Sequence, residues 1–423
     1  MAKPLFTLFH NPEEIKTSFF LPLPKGEISE EDVLFDDSLL TLEDFDIRLA
    51  KMAFALALSA FSSKKSVSEQ GERVETFLKN AHFKKVRLSP DYEKESSPVG
   101  TGFAFGTKKL FIDGKKVNVV AIAIRGGNYG AEWASNAMVG EHGDHAGFHQ
   151  AMEKVLSALH IYLKESHIRG EVLFFVTGYS RGAAIANLLS GKLLSAPFSK
   201  VSHVAVKAYC FACPLCAGKK KEGTIYNILS LNDPVPNLIP PSFSLTRNGE
   251  DILLKEKERY LALRKFSFHH FYDKNRLFES GGKILQKDFI CELRTFLENA
   301  LQRKDYVVTF QDGFYDELKK VDIFAQHPYQ ATFEGIKKHF VSLYDEYGFG
   351  GLLFRLLKRT DWEKIVTIED LRAKNMVIGC MSLLALSLKG HRDELLTLIY
   401  QNNLDALLYA HQPCYYFEML NNF

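Results

Sequence analysis

Through the first half of the chain, the spacing of apolar residues alternates between that of strands and that of helices. Apolar runs rich in β-branched and aromatic residues predict strands at residues 103–111, 116–124, 171–177, 204–211 and 224–231. Helical spacing predicts helices at residues 42–62, 68–81, 145–165 and 181–195. Alternating strands and helices predict an α/β fold, in which a mostly parallel central sheet carries helices on both faces.

The pattern changes towards both ends of the chain. Residues 1–40 show no sustained period and are predicted to form an irregular extension, after which Thr41 is the expected N-cap of the first helix. The α/β core is expected to span residues 41–285. Residues 286–405 show helical periodicity in several blocks, and residues 406–423 form a short C-terminal segment.

The sequence Gly-Tyr-Ser-Arg-Gly lies between the strand predicted at 171–177 and the helix that follows. This is the G-x-S-x-G pattern in the context where it carries chemistry, a sharp turn from a strand into a helix that exposes the serine. Side chains at Gly178 and Gly182 would collide with the neighbouring backbone at such a turn. Ser180 is therefore the candidate nucleophile, and a chance turn rich in glycine and serine is the alternative.

Charge and hydropathy exclude several classes of protein. The chain has 53 basic and 51 acidic residues, and this balance argues against a nucleic-acid-binding protein. The apolar run at 52–61 is about half the ~20 residues that a membrane-spanning helix requires. Proline and glutamate interrupt residues 1–20, which argues against a secretory signal. We expect a cytoplasmic protein, or one exported by a route without a cleavable signal peptide.

Two clusters could suggest a metal site. The first is Cys210, Cys213 and Cys216, but a structural zinc site needs four ligands and no second pair lies at the usual spacing. Buried reduced thiols are the favoured interpretation. The second cluster combines three histidines with one aspartate, at positions His142, Asp144, His145 and His149. We expect neither a metal nor an organic cofactor.

A serine nucleophile needs a base, and a histidine base works best when a carboxylate fixes its tautomer. Asp233 follows an apolar strand and precedes Pro234, which forces the chain out of the sheet, so it is the candidate acid. A turn formed by Asn-Asp-Pro is the alternative. The candidate bases after Asp233 are His269, His270, His327 and His411.

Four segments resemble successive blocks of the class 3 (fungal-type) lipase-like α/β-hydrolases. They are Ala-Ile-Arg-Gly-Gly-Asn-Tyr-Gly-Ala-Glu-Trp (123–133), His-Ala-Gly-Phe (145–148), Val-Thr-Gly-Tyr-Ser-Arg-Gly-Ala-Ala (176–184) and Asn-Asp-Pro-Val-Pro (232–236). The resemblance covers roughly residues 45–240. It is closest to a bacterial branch with G-Y-S-R-G at the serine, and Tyr-Ala-His-Gln-Pro-Cys-Tyr-Tyr (409–416) is similar to that branch's terminal A-H-x-P-E-x-Y.

This resemblance implies an α/β-hydrolase with a helical region between acid and base. It implies Ser180 as nucleophile, Asp233 as acid and His411 as base, with His327 as the runner-up. The oxyanion hole would use backbone N–H groups of Gly127 and Arg181. Many relatives have Arg-Gly-Thr where this chain has Arg-Gly-Gly, so a hydroxyl donor at position 127 is absent.

The implied activity is hydrolysis of carboxylic esters of lipid or acyl substrates through an acyl-serine intermediate. An acyltransferase or thioesterase on the same fold is one alternative. A catalytically inactive hydrolase fold used as a binding module is another, and the Arg-Gly-Gly departure favours it. The expected partners are a lipid or acyl-ester substrate and, transiently, a membrane surface.

Overall fold

The computed structural model describes residues 14–23, 28–41, 44–61, 67–92, 99–112, 115–127, 132, 135–136, 138–140, 143–230, 233, 235–237, 239, 244–254 and 411–423. Within them the strands are β1 (Glu14–Pro22), β2 (Ile28–Asp36), β3 (Lys84–Leu88), β4 (Phe103–Ile112), β5 (Lys115–Ile124), β6 (Gly170–Tyr179), β7 (Val201–Phe211), β8 (Ile225–Leu229) and β9 (Glu250–Leu253). The α-helices are α1 (Ile47–Ala60), α2 (Val67–Asn80), α3 (Ala146–Glu165), α4 (Arg181–Leu193) and α5 (Pro413–Leu420).

A seven-stranded sheet runs in the order β3-β4-β5-β6-β7-β8-β9. The pairs β3–β4 and β4–β5 are antiparallel, and every later pair is parallel. The mostly parallel α/β sheet predicted from the sequence is therefore confirmed. Gly178 pairs with Ile124 on β5 and with Cys210 on β7. The carboxyl ends of these three strands thus lie side by side, and the turn after β6 opens at this edge.

The two faces of the sheet carry separate hydrophobic cores. Along β5, Val119, Ala121 and Ala123 belong to the core that also contains buried residues of α1, α2 and α5. The intervening residues, Val120, Ile122 and Ile124, belong to the core with α3 and α4. This alternation is the period-2 pattern of a strand covered on both faces. It makes β5 and β6 the central strands on which the serine turn is built.

The N-terminal segment differs from the irregular extension predicted for residues 1–40. Strands β1 and β2 form an antiparallel hairpin in which Thr17, Phe19 and Leu21 are buried on one face. The alternation was missed because Glu30, Glu31 and Asp32 obscure it on β2. The hairpin packs against α1 and α2 as part of the same core.

The start of the first helix was also predicted wrongly. Thr41 ends a 3-10 turn, and α1 begins after Asp46, whose carboxylate accepts hydrogen bonds from the backbone N–H groups of Arg48 and Leu49. Aspartate is an effective N-cap because it satisfies N–H groups that lack helical partners. The edge strand β3 was not predicted either, since three of its five residues are Lys or Arg.

The helical region predicted at 286–405 and the candidates His142, His269, His270 and His327 lie outside the described residues. The predicted domain boundaries stay predictions. In the part of the chain that the structure describes, no helix is both long enough and apolar enough to cross a bilayer.

Candidate active site

Ser180 occupies the turn between β6 and α4. Its backbone has φ 55° and ψ −123°, a strained conformation for a residue with a side chain. A Cβ atom at Gly178 would overlap the carbonyl oxygen of Gly182, and one at Gly182 would overlap the carbonyl oxygen of Ile124. Both glycines of the motif are therefore required by close backbone approach. The N–H of Ser180 donates to the carbonyl of Phe211 at 2.8 Å, which ties the turn to β7.

Three side chains form a continuous chain of hydrogen bonds at this edge of the sheet. Ser180 Oγ lies 2.9 Å from His411 Nε2. His411 Nδ1 lies 2.8 Å from Oδ2 and 3.0 Å from Oδ1 of Asp233. The serine is half-buried, the imidazole is 22% exposed and the carboxylate is fully buried. The structure thus brings together the residues nominated as nucleophile, base and acid, although His411 is 178 residues beyond Asp233.

The Asp233 carboxylate is enclosed by hydrogen-bond donors. Besides His411, it accepts from the hydroxyl of Tyr416 at 2.7 Å and from the backbone N–H of Val235 at 3.0 Å. Buried charge is costly unless donors surround it, and these donors compensate for the loss of water. The next turn, Val235–Asn237, is held by Arg247, whose guanidinium donates to the carbonyl of Pro236. The acid is therefore fixed from both sides.

Helix α5 carries His411 to the serine. The helix begins at Pro413, a residue suited to the first turn because its missing N–H has no helical partner. Phe417 stacks on Phe54 of α1 and meets Phe19 of β1 edge-on, at centroid distances of 6.4 and 5.8 Å. The N-terminal hairpin thus helps to seat the C-terminal segment. The imidazole lies just before the first turn of a buried helix, which fixes its position.

The two residues nominated for the oxyanion hole are neighbours. A Cβ atom at Gly127 would lie 3.2 Å from Cδ and 3.5 Å from Cβ of Arg181. The backbone at Gly127 therefore passes beside the first residue of α4, where the helix N-terminus favours negative charge. A side chain at position 127 would therefore press on the Arg181 side chain, which would have to shift by a few tenths of an ångström.

The Arg181 guanidinium is buried and forms hydrogen bonds inside the protein. Its side chain is 2% exposed, and Nε and Nη2 donate to Ser135 Oγ at 3.3 and 3.1 Å. Burial lowers the pKa of Arg181 to about 10, and the charge of Glu132 opposes that shift. Glu132 also pairs with Arg125 at 2.7 Å with both side chains inaccessible. Arg181 therefore remains charged at neutral pH and ties the start of α4 to Ser135.

The described residues of the two suspected metal clusters include buried thiols and a helix N-cap. Cys210, Cys213 and Cys216 are free thiols buried in the core, and burial raises the pKa of Cys210 and Cys216 well above the ordinary value. His145 is the buried N-cap of α3, and its Nδ1 accepts from the N–H of Phe148. No group of three or more potential metal ligands occurs among the residues that the structure describes.

Two tyrosines at the site were not singled out by the sequence. Tyr416 contacts the acid, and the hydroxyl of Tyr179 donates to the carbonyl oxygen of His411 at 2.9 Å. A signal existed for Tyr416, because it occupies the tyrosine position of the terminal A-H-x-P-E-x-Y pattern. For Tyr179 the pattern shows only that the residue before the serine is tyrosine. Its partner is more than 230 positions away and could not be inferred.

The arrangement has the geometry for nucleophilic chemistry. An imidazole 2.9 Å from a serine hydroxyl can accept its proton, and a carboxylate on the opposite ring nitrogen holds the tautomer that this transfer needs. The helix that begins at Arg181, directly after the serine, has an N-terminus that favours negative charge. Acyl transfer to the serine is the reaction class that these groups can support.

Comparisons with known proteins found similarity to lipases over part of the chain. Residues 121–243 match the family model for lipase (class 3). Comparison with curated proteins found no match. A crystal structure of a mutant of MDLA from Penicillium cyclopium is 17% identical, covering 50% of this chain and 78% of that chain, with a TM-score of 0.29. M37 lipase is 13% identical, covering 46% of this chain and 69% of that chain, with a TM-score of 0.30.

The family match begins in β5 and ends shortly after Asp233, so it includes Gly127, Ser180 and Arg181. The narrower resemblance to a bacterial branch stays a prediction. The mostly parallel sheet with a serine turn at its carboxyl edge is the arrangement of an α/β-hydrolase-like fold, and residues 121–243 within it are similar to class 3 lipases.

Proposed function

We propose that this protein is a serine hydrolase that cleaves carboxylic esters of lipid or acyl substrates. The observation that carries the proposal is the unbroken hydrogen-bond chain from Ser180 through His411 to Asp233. A strained serine, a partly exposed imidazole and a buried carboxylate are the parts that acyl transfer needs. The family match over residues 121–243 supports an ester of a lipid as the substrate.

The proposed reaction proceeds in two halves. Ser180 Oγ attacks the ester carbonyl carbon while His411 Nε2 takes the hydroxyl proton, and Asp233 stabilises the imidazolium that forms. The carbonyl oxygen becomes negative and accepts from the backbone N–H groups of Arg181 and Gly127. His411 returns the proton to the leaving alcohol, which leaves an acyl group on Ser180. Water, deprotonated by His411, then releases the carboxylic acid and restores the serine.

The oxyanion hole in this proposal uses backbone donors alone. Position 127 has no hydroxyl, and the Arg181 guanidinium bonds to Ser135. In other serine hydrolases, loss of one donor costs about 10²–10³ in rate. We therefore expect slower turnover than in relatives with threonine at this position. The same departure is what favours an inactive binding module as the competing function.

Covalent labelling separates these two functions. A fluorophosphonate probe reacts with an activated serine, so the proposal expects labelling of the wild-type protein and none of Ser180→Ala. Hydrolysis of a panel of p-nitrophenyl esters and phospholipids should show the same dependence, with little change in the thermal transition. A wild-type protein that neither labels nor hydrolyses any ester would favour the binding module. Labelling with transfer to a thiol or alcohol acceptor would favour an acyltransferase or thioesterase.

The choice of base is tested by two histidine variants. His411→Ala should abolish turnover and labelling, because Ser180 then has no proton acceptor within hydrogen-bond distance in the described chain. His327→Ala is the matched variant and should keep activity. The reverse result would make His327 the base and α5 a packing element. Deletion of residues 406–423 should behave as His411→Ala does.

A further inference from the structure

Two buried tyrosine hydroxyls contact the His411–Asp233 pair from different elements. Tyr179 ends β6 immediately before the serine, and Tyr416 lies on α5, five residues after the imidazole. Both side chains are essentially inaccessible, at 1% and 0% exposure. Their rings meet edge-on at a centroid distance of 5.6 Å. The serine turn and the C-terminal helix are therefore joined through these two rings.

Tyr416 acts on the acid. Its hydroxyl donates to Asp233 Oδ2 at 2.7 Å, the same oxygen that His411 Nδ1 approaches most closely. It also accepts from the backbone N–H of Ser230 at 3.3 Å, so the oxygen is fixed relative to the end of β8. A carboxylate that accepts from a phenol has less negative charge to offer an imidazolium, since donors to the charged form disperse that charge.

Tyr179 acts on the base through the main chain. Its hydroxyl donates to the carbonyl of His411 at 2.9 Å, and its ring lies 5.7 Å from the imidazole. The ring is packed in turn against Phe54 and Phe61, so it cannot move independently of the core. The hydrogen bond therefore transmits the position of the rigid serine turn to the residue that carries the imidazole.

Given the hydrolase activity proposed above, we propose that the hydroxyls of Tyr179 and Tyr416 are positioning groups for the serine–histidine–aspartate chain. Tyr179 sets the distance between His411 and Ser180, and Tyr416 sets the orientation and hydrogen-bond strength of Asp233. Neither group transfers a proton. Burial raises the pKa of both hydroxyls well above the ordinary value, and the charge of Asp233 adds to the shift, so both remain donors throughout the working range.

The direction of the pH effect follows from the groups that surround the imidazole. In the described part of the chain, His411 contacts the titratable groups of Asp233 and Tyr179, and Tyr416 reaches it through Asp233. Removing the Tyr416 hydroxyl makes the carboxylate a stronger partner for the imidazolium. The base then stays protonated to higher pH. The acid limb of the kcat/KM profile should accordingly move to higher pH.

Tyrosine-to-phenylalanine variants of the full chain test this proposal. Tyr416→Phe should lower kcat by about 10- to 100-fold, because Asp233 loses the donor that orients it towards His411 and this misplacement outweighs the stronger charge of the freed carboxylate. Tyr179→Phe loses a bond between neutral groups and should lower kcat by about 2- to 10-fold. KM should stay within about twofold in both, because neither hydroxyl is proposed to contact substrate. Of the two variants, only Tyr416→Phe should move the acid limb of the kcat/KM profile.

Tyr209→Phe is the matched control. Tyr209 is a fully buried tyrosine of the same core, and its hydroxyl accepts from the N–H of Asp46. Its variant should keep kcat and the pH profile. If Tyr416→Phe and Tyr179→Phe change stability alone, as this control does, their hydroxyls are packing groups and the proposal fails. Should Tyr416→Phe not fold, site-specific 3-fluorotyrosine at position 416 keeps the ring and strengthens the donor. The acid limb should then move to lower pH.

A spectroscopic measurement separates this proposal from the proposed function. The proton between His411 Nδ1 and Asp233 should give a low-field NMR resonance, and its detection needs no substrate. Its chemical shift should change in Tyr416→Phe and remain unchanged in Tyr209→Phe. A wild-type protein without esterase activity but with this response would contradict the hydrolase function alone. If the enzyme is active but neither the resonance nor the acid limb changes in Tyr416→Phe, the positioning role is wrong and the hydrolase function stands.

Discussion

Replacing Asp233 with asparagine changes one atom at the most enclosed position of the site. The carboxylate is fully buried and accepts from His411, Tyr416 and the N–H of Val235. An asparagine fits the same volume, and its single oxygen can still accept from one of these donors. Its amide group, however, donates. When the oxygen accepts from Tyr416 or Val235, the amide NH₂ faces His411, and the ring nitrogen there must give up its proton and become an acceptor.

The consequence for turnover follows from the tautomer. With Nδ1 unprotonated, Nε2 carries the proton and faces Ser180 Oγ at 2.9 Å as a donor, so it cannot receive the hydroxyl proton. The imidazolium formed during attack also loses its stabilising charge. A serine protease with this substitution loses about 10⁴-fold in kcat, which corresponds to about 5 kcal/mol in activation free energy. We expect Asp233→Asn to lose a similar amount while keeping its fold.

The measurement compares kcat for a p-nitrophenyl ester, the rate of fluorophosphonate labelling and the thermal transition. Asp32→Asn is the control, because Asp32 is an exposed carboxylate paired with Lys16 on the hairpin, where ion pairs contribute little. The control should match the wild type in all three. Turnover of Asp233→Asn within about tenfold of wild type would refute the tautomer argument. A collapse of the thermal transition would instead show that Asp233 is required for folding.

Three further variants test the surroundings of the site. Gly182→Ala should cost at least about 100-fold in kcat, because its Cβ would displace the turn, and activity close to wild type would contradict the steric reasoning. Gly127→Thr should lower kcat through its contact with Arg181. The double variant with Arg181→Ala, which removes the contacted Cγ and Cδ atoms, should recover part of the loss, and independent effects in a double-mutant cycle would disprove the coupling. His145 has its pKa lowered by burial from 6.5 to about 3, so between these values the unfolded chain binds a proton that the native chain does not. Stability should therefore fall as the pH falls through this window, by up to about 1.4 kcal/mol per pH unit, and urea titrations should show a flatter dependence for His145→Asn.

Local sequence determined the central sheet and the serine turn. The runs that became β4 to β8 were predicted to within a few residues, because apolar period and β-branched composition are properties of neighbouring positions. Ser180 could be nominated for the same reason, since strand, glycines and helix lie within one short segment. Asp233 followed from a strand end and a proline. The N-terminal hairpin and β3 were missed where charged residues outnumber the apolar ones that pack.

Tertiary structure alone decided which distant groups meet at the serine. Several histidines follow Asp233, and no local pattern states which of them lies 2.9 Å from Ser180. That choice depends on α5 docking against α1 and the hairpin, through contacts between residues nearly 400 positions apart. Tyr179 and Arg181 show the same limit. Their sequence neighbourhood identifies the turn, but their hydrogen bonds reach His411 and Ser135. Local sequence specifies backbone shape through steric limits, whereas the partners of buried polar groups are specified only when the whole core has packed.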